Sequence, residues 1–260
     1  MPHGTLSLYL YIFCEVFEMK WSAEYRVNAN DLDYNNIVSA SNVQRYMQDA
    51  AFSAMETDGL SYHELFERGY AFILSRIRMS LYAPIYSHEK LEMQTWACES
   101  RGLQFNRCYR ILRDGMIVAE AVSVWALYGI NDKRLHRVNE FDLGYRTDDM
   151  IELDLPARFK IPDDVEMRLV GERTVEYADI DLNGHMNNTR YPDILCGYIS
   201  EDMRGRRVIS IGISFLSEAP LGETLKIYSG TSDGVHYVRT IRENGSVNVE
   251  AEIITESLAE

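Results

Sequence analysis

The sequence predicts an α+β protein built from one unit used twice, each copy a long helix wrapped by an antiparallel sheet. Three features predict it: a segment beginning at Arg26 that recurs at Arg173, one amphipathic helical pattern after each, and four strand-like runs after each helix.

The repeat comes first because it sets the architecture. Arg26-Val27-Asn28-Ala29-Asn30-Asp31-Leu32-Asp33-Tyr34-Asn35-Asn36 is matched by Arg173-Thr174-Val175-Glu176-Tyr177-Ala178-Asp179-Ile180-Asp181-Leu182-Asn183-Gly184, and each segment runs on to an Arg-Tyr pair, Arg45-Tyr46 and Arg190-Tyr191. Val43, Tyr46, Met47, Ala50, Ala54 and Met55 then follow the spacing of a helix with one buried face, and Tyr191, Ile194, Leu195, Tyr198 and Ile199 repeat it. Pro192 suits the first turn of that second helix, where its missing N–H costs little.

Strand-like runs come next, at 71–82, 89–97, 104–113 and 117–128 in the first copy and at 208–216, 223–229, 235–242 and 247–254 in the second. Asp114-Gly115 and Asn244-Gly245 join the last two strands of each copy and suit a type I′ turn. Ala83-Pro84 follows the first long strand, and Ala219-Pro220 follows its counterpart. The acidic stretch 146–165, with Pro156 and Pro162, reads as a linker between a first domain at 19–145 and a second at 166–260. Residues 1–18 read as a tail or an extra strand, because apolar Leu8 to Phe13 lacks the basic segment and cleavage site of a signal peptide, and Met19 offers an ordinary start.

Composition narrows the class. With 46% hydrophobic and 25% charged residues, and no apolar run approaching the roughly 20 residues that span a bilayer, a soluble cytoplasmic protein without membrane attachment is expected. A net charge of −14 argues against binding nucleic acid or anionic lipid, which needs a surplus of Lys and Arg. Cys14, Cys98, Cys108 and Cys196 are too scattered for a zinc site or a redox pair, so free buried thiols and no metal are expected.

The copies differ in chemistry. His185 of the second stands where the first has Ile37, and Glu218, just before Ala219-Pro220, stands where the first has Tyr82. Asp181 and Asn183 keep counterparts in Asp33 and Asn35, residues that also serve as turn formers. Only the second copy therefore keeps titratable groups at these two positions, beside the Asp and Asn that both copies share. There is no G-x-S-x-G elbow, glycine-rich phosphate loop or H-E-x-x-H zinc helix to compete.

Asp181-Leu182-Asn183-Gly184-His185-Met186-Asn187-Asn188 resembles the D-x-N-x-H-x-N-N signature of the acyl-acyl carrier protein thioesterases of plants and bacteria. The likeness covers nearly the whole chain, including Gly69-Tyr70-Ala71-Phe72-Ile73-Leu74-Ser75-Arg76, Arg101-Gly102 and Trp125-Ala126-Leu127. It implies a tandem (double) hotdog fold in which the first domain holds an acyl chain and the second carries catalysis through Asp181, Asn183, His185 and Glu218, without a cofactor. It also implies an acylated acyl carrier protein as substrate and partner, for a monomer or homodimer. Where plant members have cysteine after the glutamate this chain has Ala219, so a thiol nucleophile there cannot operate.

Within this set Glu218 is expected to activate water as general base, with Asp181 the alternative base, His185 to assist proton transfer or hold that water, Asn183 to orient the reacting groups and Asp181 to fix the other two or share in polarising the site. A backbone N–H of the Gly184 to Asn187 turn is the expected oxyanion donor. The acyl pocket is expected between the helix at Val43 to Met55 and the strand at Ala71 to Leu81. Arg204, Arg206 and Arg207 form a tight basic cluster, read as a solvated loop. With Arg76, Arg78, Arg101, Arg107, Arg110, Arg113 and Arg190 they are candidate contacts for an acidic carrier protein. Three other readings stay open: an acyl-CoA thioesterase, a hotdog enoyl-thioester hydratase, whose D-x-N-x-x-H pattern is one residue longer, and a non-catalytic acyl-binding protein.

Overall fold

The computed structural model describes residues 20–57, 60–141, 143–154, 159–181 and 183–258. The tail at 1–18 lies outside the described residues. In the first half, β1 (Trp21–Arg26), α1 (Ala40–Thr57) and the short α2 (Tyr62–Glu67) precede β2 (Tyr70–Leu81), β3 (Lys90–Arg101), β4 (Gln104–Arg113) and β5 (Met116–Gly129). Two small strands follow, β6 (Arg134–His136) and β7 (Thr147–Asp148). The second half repeats the order with β8 (Arg168–Thr174), α3 (Tyr191–Cys196), β9 (Arg206–Phe215), β10 (Thr224–Ser232), β11 (Val235–Ile241) and β12 (Val247–Ser257).

All strands join one sheet, in the order β1-β3-β4-β5-β2-β9-β12-β11-β10-β8, with β6 on β5 and β7 on β3. Outward from the β2–β9 pair the same sequence of strands runs in both directions, so the repeat in the chain becomes a repeat in space. That seam is antiparallel, from Arg76↔Ser214 to Ser80↔Ser210. Arg78 fastens it: its guanidinium bonds Glu252 of β12 and the Asp154 carbonyl (2.9 Å), and lies flat on Gly212 of β9. A side chain at Gly212 would put its Cβ 2.9 Å from Arg78 Cζ, which explains the glycine in the middle of a strand.

The helix α1 buries Val43, Tyr46, Met47, Ala50, Ala54 and Met55, the stripe its spacing predicts. Most of that stripe joins one core with Ile211, Ile213, Val249, Ala251 and Ile253 of the second half. Each large side chain so buried contributes about 1.5–3 kcal/mol, which makes the shared core the main term holding the halves together. Polar bonds add register: the Ser41 N–H and the Ser39 hydroxyl donate to Asp193 of α3 (3.0 and 2.8 Å), and the Asp193 N–H donates to Ser41 Oγ (2.9 Å). Each helix start thus finds its otherwise orphaned donors a partner in the other half.

The long second helix is a wrong expectation: α3 has 6 residues. Its last turn closes where the Gly197 N–H bonds the Asp193 and Ile194 carbonyls, and Tyr198 then swings away to cover Gly171 of β8, where a Cβ would meet its ring at 2.7 Å. The apolar residues beyond Cys196 are buried by a turn rather than by helix. The hairpins also differ. Asp114 and Gly115 both have positive φ (52° and 76°), as type I′ requires, but at Asn244-Gly245 only the glycine does (84°). There the Arg242 N–H bonds the Ser246 carbonyl and the pairing slips between Thr240 and Ile241, so the loop is a turn closed by a left-handed glycine with a bulge.

The stretch between the halves packs as it crosses. Ile151 and Leu153 cover Trp96, Cys98, Cys108 and Val122, while Ile161 and Val165 pack on Tyr237. Under this cover Cys98 and Cys108 come together with sulfurs 3.2 Å apart, a closeness their sequence spacing hides.

The basic cluster corrects another expectation. Arg207 is 9% exposed and holds the Leu81 and Tyr82 carbonyls together with Glu256. Arg206 pairs with Glu201 and Arg204 with Asp202. Arg78, Arg101, Arg110 and Arg113 likewise have carboxylate partners. Arg78 and Arg207 are committed within the fold, whereas Arg101 and Arg204 form exposed pairs, and Arg204 does lie in a solvated loop.

Candidate active site

The turn that carries three of the four expected site residues is built by its own backbone. Asp181 Oδ1 accepts from the Asn183 N–H (2.8 Å), the Gly184 N–H bonds the Asp181 carbonyl (3.0 Å) and the Asp181 N–H bonds the His185 carbonyl (3.1 Å). Gly184 sits at φ 81°, a left-handed conformation that glycine adopts without strain. The turn is docked by the Met186 N–H on the Ala219 carbonyl (2.9 Å), so Glu218 is brought beside His185 by main chain. His185 Nε2 stands 3.7 Å from Glu218 Oε1. The Glu218 side chain is 62% exposed and that of His185 24%, so a carboxylate open to water faces a more sheltered imidazole.

All four residues line one cavity of about 1140 Å³. Its walls come mostly from the first half: Ala51, Phe52 and Met55 of α1, Tyr62 and Phe66 around α2, Ala71 to Ser75 of β2, and Phe105 and Trp125. The expected pocket between helix and strand is present, but it uses the later half of α1 and the start of β2. Val43, Tyr46 and Met79 are packed into the core instead. Tyr62 had no signal in the sequence. Burial, and then the Asp181 carboxylate, push its phenol above the ordinary tyrosine value, which places a first-half side chain within electrostatic reach of the second-half turn.

The counterpart in the first half repeats the turn bond for bond. Asp33 Oδ1 accepts from the Asn35 N–H (2.8 Å), the Asn36 N–H bonds the Asp33 carbonyl (3.1 Å) and the Asp33 N–H bonds the Ile37 carbonyl (2.8 Å). Tyr82, however, is not the residue in Glu218's place. The Val38 N–H bonds the Ile85 carbonyl, whereas the equivalent Met186 N–H bonds that of Ala219; Tyr82 and Ala83 both donate to Val118 as Leu216 and Ser217 both donate to Asn248. Pro84 therefore matches Glu218, and the two Ala-Pro pairs are offset by two residues.

This second site borders a smaller cavity of about 490 Å³, but its asparagine is engaged. The Asn35 side chain donates to the Met203 and Arg206 carbonyls (2.8 Å each) and accepts from the Gly205 N–H (2.7 Å), clasping the loop before β9. Replacing Asn35 by Ala leaves those loop groups without partners. It should lower stability by about 1–3 kcal/mol in thermal or denaturant unfolding while thioester turnover per folded molecule stays the same.

Comparison with known families and structures now bears on this geometry. Residues 27–169 match the thioesterase-like superfamily and residues 163–256 match the acyl-ACP thioesterase C-terminal domain. The chain is 22% identical over 181 residues to the chloroplastic palmitoyl-acyl carrier protein thioesterase of Arabidopsis thaliana, covering 64% of this chain and 44% of that one. It thus spans less than half the length of this plant relative. An acyl-ACP thioesterase structure from Bacteroides thetaiotaomicron aligns with TM-score 0.82 at 22% identity, over 92% of this chain and 98% of that one. A 12:0-ACP thioesterase structure from Umbellularia californica aligns with TM-score 0.73 at 16% identity, over 92% and 98%. The two structures establish the tandem hotdog fold, and with its profile spanning more than half of the residues the chain belongs to the thioesterase-like superfamily, its second half matching the acyl-ACP thioesterase C-terminal domain.

Proposed function

We propose that this protein hydrolyses the thioester of a fatty acyl chain on acyl carrier protein, releasing the fatty acid and the carrier-protein thiol. The observation that carries the reading is that Asp181, Asn183, His185 and Glu218 all border one large, mainly apolar cavity, with His185 and Glu218 3.7 Å apart. In this reading the domain at 19–145 receives the chain, and the domain at 166–260, joined through 146–165, carries the chemistry.

Glu218 takes a proton from water, whose oxygen attacks the thioester carbonyl. The C–S bond then breaks and the departing thiolate takes a proton relayed through His185. Asp181 holds the turn through the Asn183 N–H and so aims Asn183 and His185. The N–H groups of Asn183, Gly184, Met186 and Asn187 are spent on the turn's own bonds, which leaves that of His185 as the donor for the oxyanion.

The test is hydrolysis of carrier-protein and CoA thioesters of the same acyl chains, side by side, by purified protein. A higher kcat/KM on the carrier-protein substrate is expected. Equal values would remove the carrier protein as the partner, and hydrolysis of neither would remove the enzymatic reading.

A further inference from the structure

Among the described cations lining the cavity, Arg242 is held by Glu223 (2.9 Å) and His185 faces Glu218. Arg107 has no carboxylate. Its contacts are Thr95 Oγ1, to which Nη1 donates (3.3 Å), and the Tyr145 ring, 6.0 Å away. Its position makes this unusual. Along β4, residues 105, 107, 109 and 111 point to one face, and Phe105, Tyr109 and Ile111 are buried there. Cys108 points to the other face, under the crossing segment. A half-buried guanidinium thus stands in the apolar lining of the chain-binding face. Burying such a cation without an anion or water is costly.

Arg107 also lies far from the reacting bond. The rung Ser214–Arg76–Val124–Asn106 leads from β9, whose end carries Glu218, across β2 and β5 to β4. Three inter-strand steps of about 4.8 Å make about 14 Å across the sheet, and Glu218 lies a further four residues past Ser214 along the strand direction, so the span to Arg107 exceeds that and calls for a long acyl chain.

We propose that Arg107 receives a carboxylate at the far end of the acyl chain, so that the preferred substrates are thioesters of α,ω-dicarboxylic acids. This rests on the thioesterase reading and names its substrate class. A methyl end reaching Arg107 strips water from the guanidinium and returns nothing. A carboxylate at the same place forms the paired, bidentate hydrogen bonds for which arginine is suited.

The test compares methyl-ended with carboxyl-ended thioesters over a series that runs past the expected span: hexanoyl against adipoyl, dodecanoyl against dodecanedioyl, hexadecanoyl against hexadecanedioyl and octadecanoyl against octadecanedioyl. At the length that reaches Arg107, kcat/KM should favour the carboxyl-ended member by about 10- to 100-fold, the range of a charge-assisted hydrogen bond. Arg107→Leu should abolish that ratio, and Arg107→Lys should keep part of it, which separates a lost charge from a damaged fold. Methyl-ended chains preferred at every length, or a ratio that survives Arg107→Leu, overturns the proposal. If not even the hexanoyl thioester is hydrolysed, the thioesterase reading fails by itself. Calorimetry with free hexadecanedioic and hexadecanoic acids then decides for Arg107: tighter diacid binding by the unmodified protein alone supports it, and equal binding overturns it.

Discussion

His185→Ala and Glu218→Gln should each leave a folded protein and lower thioester hydrolysis by about 10²- to 10⁴-fold, the scale for removing a positioned acid or base. Folding should survive because neither side chain holds the structure. Glu218 is largely exposed, and the turn at His185 is fixed by main-chain bonds from Asp181 and by the neighbouring Met186 on Ala219. Because the two groups face each other and serve one proton path, the double variant should lose little more than either single variant. Steady-state kinetics on the carrier-protein thioester, with circular dichroism as the folding control, measures both points. Near-normal rates in both single variants would move the chemistry elsewhere in the cavity. Ile37→Ala, in the corresponding turn of the first half, should cost stability and spare the rate.

Arg78→Leu should be the most damaging single change outside the site. It removes the ion pair to Glu252 and the bond to the Asp154 carbonyl, and leaves a carboxylate only 22% exposed without its cation. Breaking one side of such a pair costs about 3 kcal/mol, toward the lower end for buried pairs because Glu252 keeps some water, and for a chain of this size lowers Tm by roughly 6 to 12 °C. The form of the transition matters as much as the midpoint. One core and one sheet run through the β2–β9 seam, so the unmodified protein should melt in a single calorimetric transition. A second transition in the variant would show that Arg78 couples the halves, whereas an unchanged Tm would deny the pair any net value.

What the sequence made legible was whatever depends on local periodicity. The strand runs were found to within a few residues because β-branched and aromatic residues fill them between turn residues, even where burial is continuous as at Val118 to Val124, and α1 was found because its apolar stripe is long. The second helix was overextended for the same reason: Tyr198 and Ile199 keep helical spacing, but nothing local says that Tyr198 will lie on Gly171 instead. The turn holding Asp181, Asn183 and His185 was legible because its partner at Asp33 to Ile37 repeats the same backbone. Glu218 entered through family likeness, and the structure sets it beside that turn. Its counterpart was misread as Tyr82, because the matching Ala-Pro pairs are a coincidence of letters that only the ladder bonds expose. Tyr62 and Arg107 reach the cavity through strand order and helix placement, which no spacing in a single chain encodes.

The clasp of Asn35 on the loop before β9 bears on how the protein should respond to concentration. Two identical subunits around the same axis present two equal pockets and so allow one occupancy to influence the other. Here the second pocket has Ile37 and Pro84 where the first has His185 and Glu218, and its Asn35 is tied to the loop at Met203 to Arg206. On the proposed function each polypeptide then turns over at one pocket, and its velocity rises with substrate along a simple hyperbola, with no sigmoid onset and no second plateau.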